Sequence, residues 1–228
     1  MRRITFCSLA CALALGCGAD LESVPRQSAD DAAPADAQPT PASVRYPSRV
    51  VSFTKGDKGG FKEDALPGVI QGPPQGGGCC AGSLDVLSLG DGGEIVLAFD
   101  VTIVDAPGTD FIVFENAFEF GSTPEDVVAE PAEVAVSEDG MTWTAFPCTA
   151  TAWPYGTCAG WHPVYATAAS PLDPAAPEKA GGDPFDLAAI GVTRARFIRI
   201  RDMNRKFPAA APTAGFDLDG VAVLHFQP

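Results

Sequence analysis

Glu133-Val134-Ala135-Val136-Ser137-Glu138-Asp139-Gly140-Met141-Thr142-Trp143-Thr144-Ala145-Phe146 reads as a β-hairpin. Glu133 to Ser137 alternates polar with apolar, Asp139-Gly140 supplies the turn, and Thr142 to Phe146 returns; Asp-Gly between two such runs is a strong hairpin signal. The same grammar extends outward in both directions. Arg49 to Thr54, Glu94 to Phe99, Phe111 to Phe114, Arg196 to Arg201 and Val221 to Phe226 are short runs that alternate or are rich in β-branched and aromatic residues. Turn residues precede them, as in Gly90-Asp91-Gly92-Gly93 and Pro107-Gly108. Twenty-one prolines and 24 glycines leave little room for helices. Ser83 to Leu89 reads as a strand or a short helix. Phe185 to Ile190 reads as one helical turn with Asp183 as its cap and Pro184 at its first position. Short strands at regular spacing predict an all-β fold, a β-sandwich. Residues 44–228 suit one such domain.

Residues 1–17 read as an export leader. Arg2 and Arg3 form a charged start, and Ile4 to Leu15 is an apolar stretch too short to span a bilayer. Leu13-Ala14-Leu15-Gly16-Cys17 resembles a bacterial lipoprotein box, which implies lipid attachment at Cys17. Gly18 rather than Asp follows the cysteine, and in similar Gram-negative lipoproteins that favours the outer membrane. Residues 18–43 are rich in Ala, Pro and Asp and bury too little to offset their ordering entropy. They are expected to form a flexible tether.

Removing Arg2 and Arg3 with the leader takes the formal charge from −14 to −16. That excludes a nucleic-acid partner, which needs a basic footprint. Solubility outside the cell and binding of a divalent cation both fit such a charge. Catalytic signals are sparse: His162 and His225 are the two histidines, and the chain contains no Gly-x-Ser-x-Gly elbow, His-Glu-x-x-His pair or phosphate loop. The expectation is a protein that is not an enzyme.

Four patterns follow in order: Asp110-Phe111-Ile112-Val113-Phe114-Glu115-Asn116, Ser137 to Trp143, Gly182-Asp183-Pro184-Phe185-Asp186-Leu187, and Gly215-Phe216-Asp217-Leu218-Asp219-Gly220. From about Gly82 to Val223 they resemble a family of exported bacterial cell-surface proteins. Val136 to Trp143 is also similar to a hairpin of discoidin-type, galactose-binding-like jelly rolls, and Arg196 to Arg201 resembles a late strand of such domains. These resemblances imply a jelly-roll sandwich with long irregular loops and a binding role. The leading expectation is a lipid-anchored surface module for a glycan or another extracellular ligand. A structural or adhesion lipoprotein with a protein partner comes next, and a hydrolase or lyase last.

Three sets of residues are candidates for specific roles. In an oxidising, exported setting Cys148 and Cys158, flanking one Pro/Gly-containing loop, are expected to pair. Cys79 and Cys80 are left as a strained vicinal bond, a free pair or a metal-binding pair. That closed loop carries Trp153 and Tyr155, with Trp161 and His162 just beyond, and flat aromatic faces suit the apolar faces of sugars. Trp143, by its place in the hairpin, is expected in the core. The third set is a calcium site with oxygen ligands: Glu115 and Asn116 at one strand end, and Asp217 and Asp219, which an extended backbone places on one face. Asp110 and Asp186 are reserve ligands. Jelly rolls of the resembling kind often hold a structural calcium between an early strand and the C-terminal segment. Without calcium these acids would cap turns or pair with arginines such as Arg199 and Arg201.

Overall fold

In a computed structural model the described residues are 43–77, 80–149, 151–170, 172–209 and 215–228. The leader with Cys17, the tether up to residue 42 and Cys79 therefore lie outside the described residues. What is described is all-β, with helical structure limited to short 3-10 turns.

Two antiparallel sheets face each other. The first contains β1 (Arg49–Thr54), β3 (Glu94–Val104), β10 (Arg194–Asp202), β7 (Ala132–Ser137) and β8 (Thr144–Ala145) in that spatial order, and β12 (Phe226–Gln227) also pairs with β3. The second runs β2 (Leu87–Ser88), β11 (Asp217–Val223), β4 (Phe111–Glu115) and β9 (Asp183–Phe185). A separate two-stranded ribbon joins β5 (Phe118–Glu119) to β6 (Val127–Val128). The outermost strands are short or interrupted. β2 and β8 have two residues each, β9 has three with Pro184 at its centre, and β1 slips register between Val50 and Ser52.

Period-2 alternation builds the core. Ile95, Leu97, Phe99, Val101 and Ile103 of β3 point to one side and meet Phe111 and Val113 of β4 from the other sheet. Each such side chain contributes roughly 1.5–3 kcal/mol on burial. Two bulges re-phase the pattern. In β10 a register shift between Ala195 and Phe197 lets both Ala195 and Ile198 face inward. In β11 a shift between Leu218 and Gly220 does the same for Leu218 and Val221.

The second sheet is covered on its far face as well. Ile112, Phe114 and Ala222 pack there against Val164, Ala166, Ala180 and Leu224. The covering comes from the long connection between β8 and β9, and the candidate site lies on it.

Several expectations change in detail. The helical turn begins later than expected, as a 3-10 turn over Leu187–Ile190 capped by Asp186, whose side chain accepts from the Ala188 N–H. Asp183 and Pro184 belong instead to β9, because Asp183 is committed to partners in the covering segment. Trp143 is half-buried rather than in the core. β8 lies at the margin of its sheet with both residues exposed, and the Arg199 guanidinium stacks over the indole at 4.8 Å. Arg199 and Arg201 pair with Glu94 and Glu133 at 3.8 and 2.9 Å, not with the acids of the expected calcium site.

Candidate functional site

After Cys158 the chain crosses the far face of the second sheet. Val164 bridges to Gly181, and the Tyr165 and Ala166 N–H groups both donate to the Ala180 carbonyl, making a loop that returns beside itself. Gly181 and Gly182 both have positive φ, 69° and 72°, where L side chains are strained. A Cβ on Gly182 would lie 2.6 Å from Phe114 Cδ1, and one on Gly181 would run into the Pro163 carbonyl. The glycine pair thus brings backbone close enough to form a floor.

Above that floor opens a cleft of about 520 Å³, walled by Trp153, Trp161, His162, Tyr165, Glu119 and Glu178. Ile112, Pro163 and Pro184 also line it. Three of the four aromatic-site residues expected from the sequence therefore converge. The fourth, Tyr155, is 4% exposed and lies beneath, stacked on Phe207 at 4.7 Å and edge-on to Trp161 at 5.8 Å. It supports the wall and is not a contact surface, since the loop closed by Cys148–Cys158 folds it inward. That disulfide is present, and both cysteines belong to the same small buried cluster as Tyr155. Cys80 is also disulfide-bonded.

Asp183 organises the wall. Buried at 2% exposure, it accepts from the Gly160 N–H at 2.7 Å and the Trp161 N–H at 3.3 Å, while its other oxygen lies 2.7 Å from His162 Nδ1. Burial raises its pKa, and the bonds from His162 and the two amides oppose that rise. The contact uses Nδ1 of His162 and leaves Nε2 to other partners. His162 also stacks on Trp161, with ring centroids 3.7 Å apart. Trp161 Nε1 donates to the Cys158 carbonyl, which fixes the indole.

Tyr165, Glu119 and Glu178 were missed by sequence reasoning. Tyr165 stands three residues after His162 and extends the same aromatic series, so that signal was within reach. The glutamates are 59 positions apart (119 and 178) in a chain with 29 acidic residues, and only folding singles them out.

The expected calcium ligands fall into three groups. Glu115, Asn116 and Asp217 adjoin one another: the Asp217 N–H donates to Glu115 Oε1 at 3.4 Å, and the Asn116 and Ser88 side chains bond the Asp217 carboxylate. Glu115 is 2% exposed, and among the described residues its Oε2 has no hydrogen-bond partner. Burial, then the charges of Glu130 and Asp217, push its pKa well up. Asp219 stands apart, because the β11 bulge breaks the two-residue phase expected to align it with Asp217. Its carboxylate accepts from the Gln75 N–H instead. Burial carries its pKa up to about 7, with Asp85 adding and the Gln75 bond opposing.

Asp110 and Asp186 join Asp105 in a cluster whose oxygens lie within 4.8 Å. Asp110, fully buried, is already occupied by His225 Nδ1 at 2.9 Å and by the N–H groups of Ala106 and Leu187. These bonds anchor the C-terminal segment to the start of β4.

No protein-family model and no curated protein matches this chain.

Proposed function

We propose that the protein is a non-enzymatic binding module, anchored at a bacterial cell surface by lipid on Cys17, that holds a glycan or another small extracellular ligand in the aromatic cleft. The observation that carries this reading is the convergence of Trp153, Trp161 and His162 on one cavity with Tyr165. Aromatic faces around a few polar groups are the usual composition of a small-molecule site, and about 520 Å³ is within the size range of such sites. A glycan array probed with the full chain tests it. Trp153, 41% exposed, is the appropriate position to change. Trp153→Ala is expected to abolish capture of whatever the wild type retains, with an unchanged melting temperature. A lowered melting temperature with capture intact would instead make the ring a packing element.

A structural calcium belongs to the same proposal, at Glu115, Asn116 and Asp217. The carboxylate oxygens of Glu115 and Asp217 suit calcium. Asn116 would have to give up the Ser83 N–H that its Oδ1 accepts, and a cation would satisfy Glu115 Oε2 and offset the repulsion from Glu130 and Asp217. After chelator treatment, millimolar calcium is expected to raise the melting temperature and give a calorimetric heat of binding. The absence of both would leave a proton as the stabiliser of this cluster.

A further inference from the structure

The charge of the cleft is one-sided. Glu119 and Glu178 stand in its wall with three aromatic faces, while among the described residues no lysine or arginine lines it. Two of its hydrogen-bonding groups are already committed. The Trp161 indole N–H is spent on the Cys158 carbonyl, and His162 Nδ1 is held by Asp183. Ionised glutamates accept hydrogen bonds and donate none. A neutral sugar would still find donors in the Thr109 and Tyr165 hydroxyls and the Trp153 indole N–H, but it would gain nothing from the charge of the two carboxylates. An anionic ligand would meet two carboxylates inside a chain of formal charge −14.

An organic ammonium group matches the carboxylates and the aromatic rings of this wall. Its charge is attracted by the faces of Trp and Tyr and by the two carboxylates, and it needs acceptors only. The Tyr165 hydroxyl reports the same field, since Glu119 adds to burial in raising its pKa. The prolines and Ile112 in the lining suit the apolar body that such a group is attached to.

Building on the binding role proposed above, we infer that the cleft selects ligands carrying a positively charged ammonium group on a small apolar or sugar-like body. A free-amine amino sugar and a trimethylammonium headgroup are the two sources of that chemistry.

Calorimetric titration of the full chain tests this with glucosamine, N-acetylglucosamine, glucuronate and choline as probes. Glucosamine or choline is expected to bind at least about tenfold more tightly than N-acetylglucosamine, whose acetyl group removes the charge and keeps the ring, and glucuronate is expected not to bind. Preference for glucosamine over choline would identify a hydrogen-bonded amine, and the reverse a caged quaternary group. The Glu119→Gln, Glu178→Gln double variant should lose about tenfold or more for the charged probe and keep its melting temperature. Equal affinity for glucosamine and N-acetylglucosamine, or an unchanged affinity in the double variant, overturns the charge selectivity. If that binding is lost in Trp153→Ala, the cleft remains a binding site. Absence of heat with all four probes overturns the selectivity, and only an empty glycan array then counts against the binding role as well.

Discussion

Asp219 is a carboxyl group whose pKa the fold carries up to about 7, chiefly by burial. Because the folded value lies above the unfolded one, its contribution to stability is fully present below about pH 4 and is lost as pH rises through about 7. Asp219→Asn removes that loss. The variant is expected to gain on wild type between about pH 4 and pH 8, with an upper bound of about 4 kcal/mol from the size of the shift. Denaturant titrations at the two pH values measure it, and parallel changes in both proteins would place the pH dependence on other carboxyls. Nothing in Gly-Phe-Asp-Leu-Asp-Gly distinguishes Asp219 from Asp217, because the difference arises from a bulge and from Gln75, 144 positions away. Asp139 is the opposite case. Its carboxylate accepts from the Met141 and Thr142 N–H groups and the Ser137 hydroxyl, which hold its pKa down to about 2. All of those partners are within three residues, and Asp-Gly in a hairpin announced such a turn in the sequence.

At the level of elements, sequence alternation located most of the long strands and misjudged their ends. β3 continues past Phe99 to Val104, because Asp100 takes the exposed phase while Val101 and Ile103 remain inside. β9 was hidden by its proline, which in a central strand would cost a ladder bond but is tolerated where a strand has one neighbour. The covering segment of the second sheet was not legible at all, since nothing local says that Val164, Ala166 and Ala180 lie on Ile112 and Phe114. Gly182 is the test of that close approach. Gly182→Ala combines a positive φ with a collision against Phe114 and Ile112, and a loss of about 3 kcal/mol in unfolding free energy is expected. A loss below about 1 kcal/mol, the range of an ordinary glycine replacement, would mean that the floor yields.

For the whole molecule, the fold class was readable because turn residues and two-residue periodicity recur from about Arg49 to Phe226. The aromatic wall was readable in part, as Trp153, within the loop that Cys148–Cys158 closes, lines the same cleft as Trp161. The paired Cys148→Ser, Cys158→Ser variant is expected to lose about 3 kcal/mol, the chain-entropy value for a loop of this length. Ligand capture should fall with it, because the Trp153 wall is then untied. Capture at wild-type strength in this variant would show that the wall is held by Tyr155 packing alone.

The brevity of β2, β8 and β9, the proline within β9 and the slipped register of β1 have a consequence beyond the single chain. A sheet flank that is long, flat and regular templates the addition of a neighbour's strand, the first step of edge-to-edge aggregation. Here each flank is too short or too irregular to serve. Copies of the chain held at high local concentration are therefore expected to remain individually dispersed.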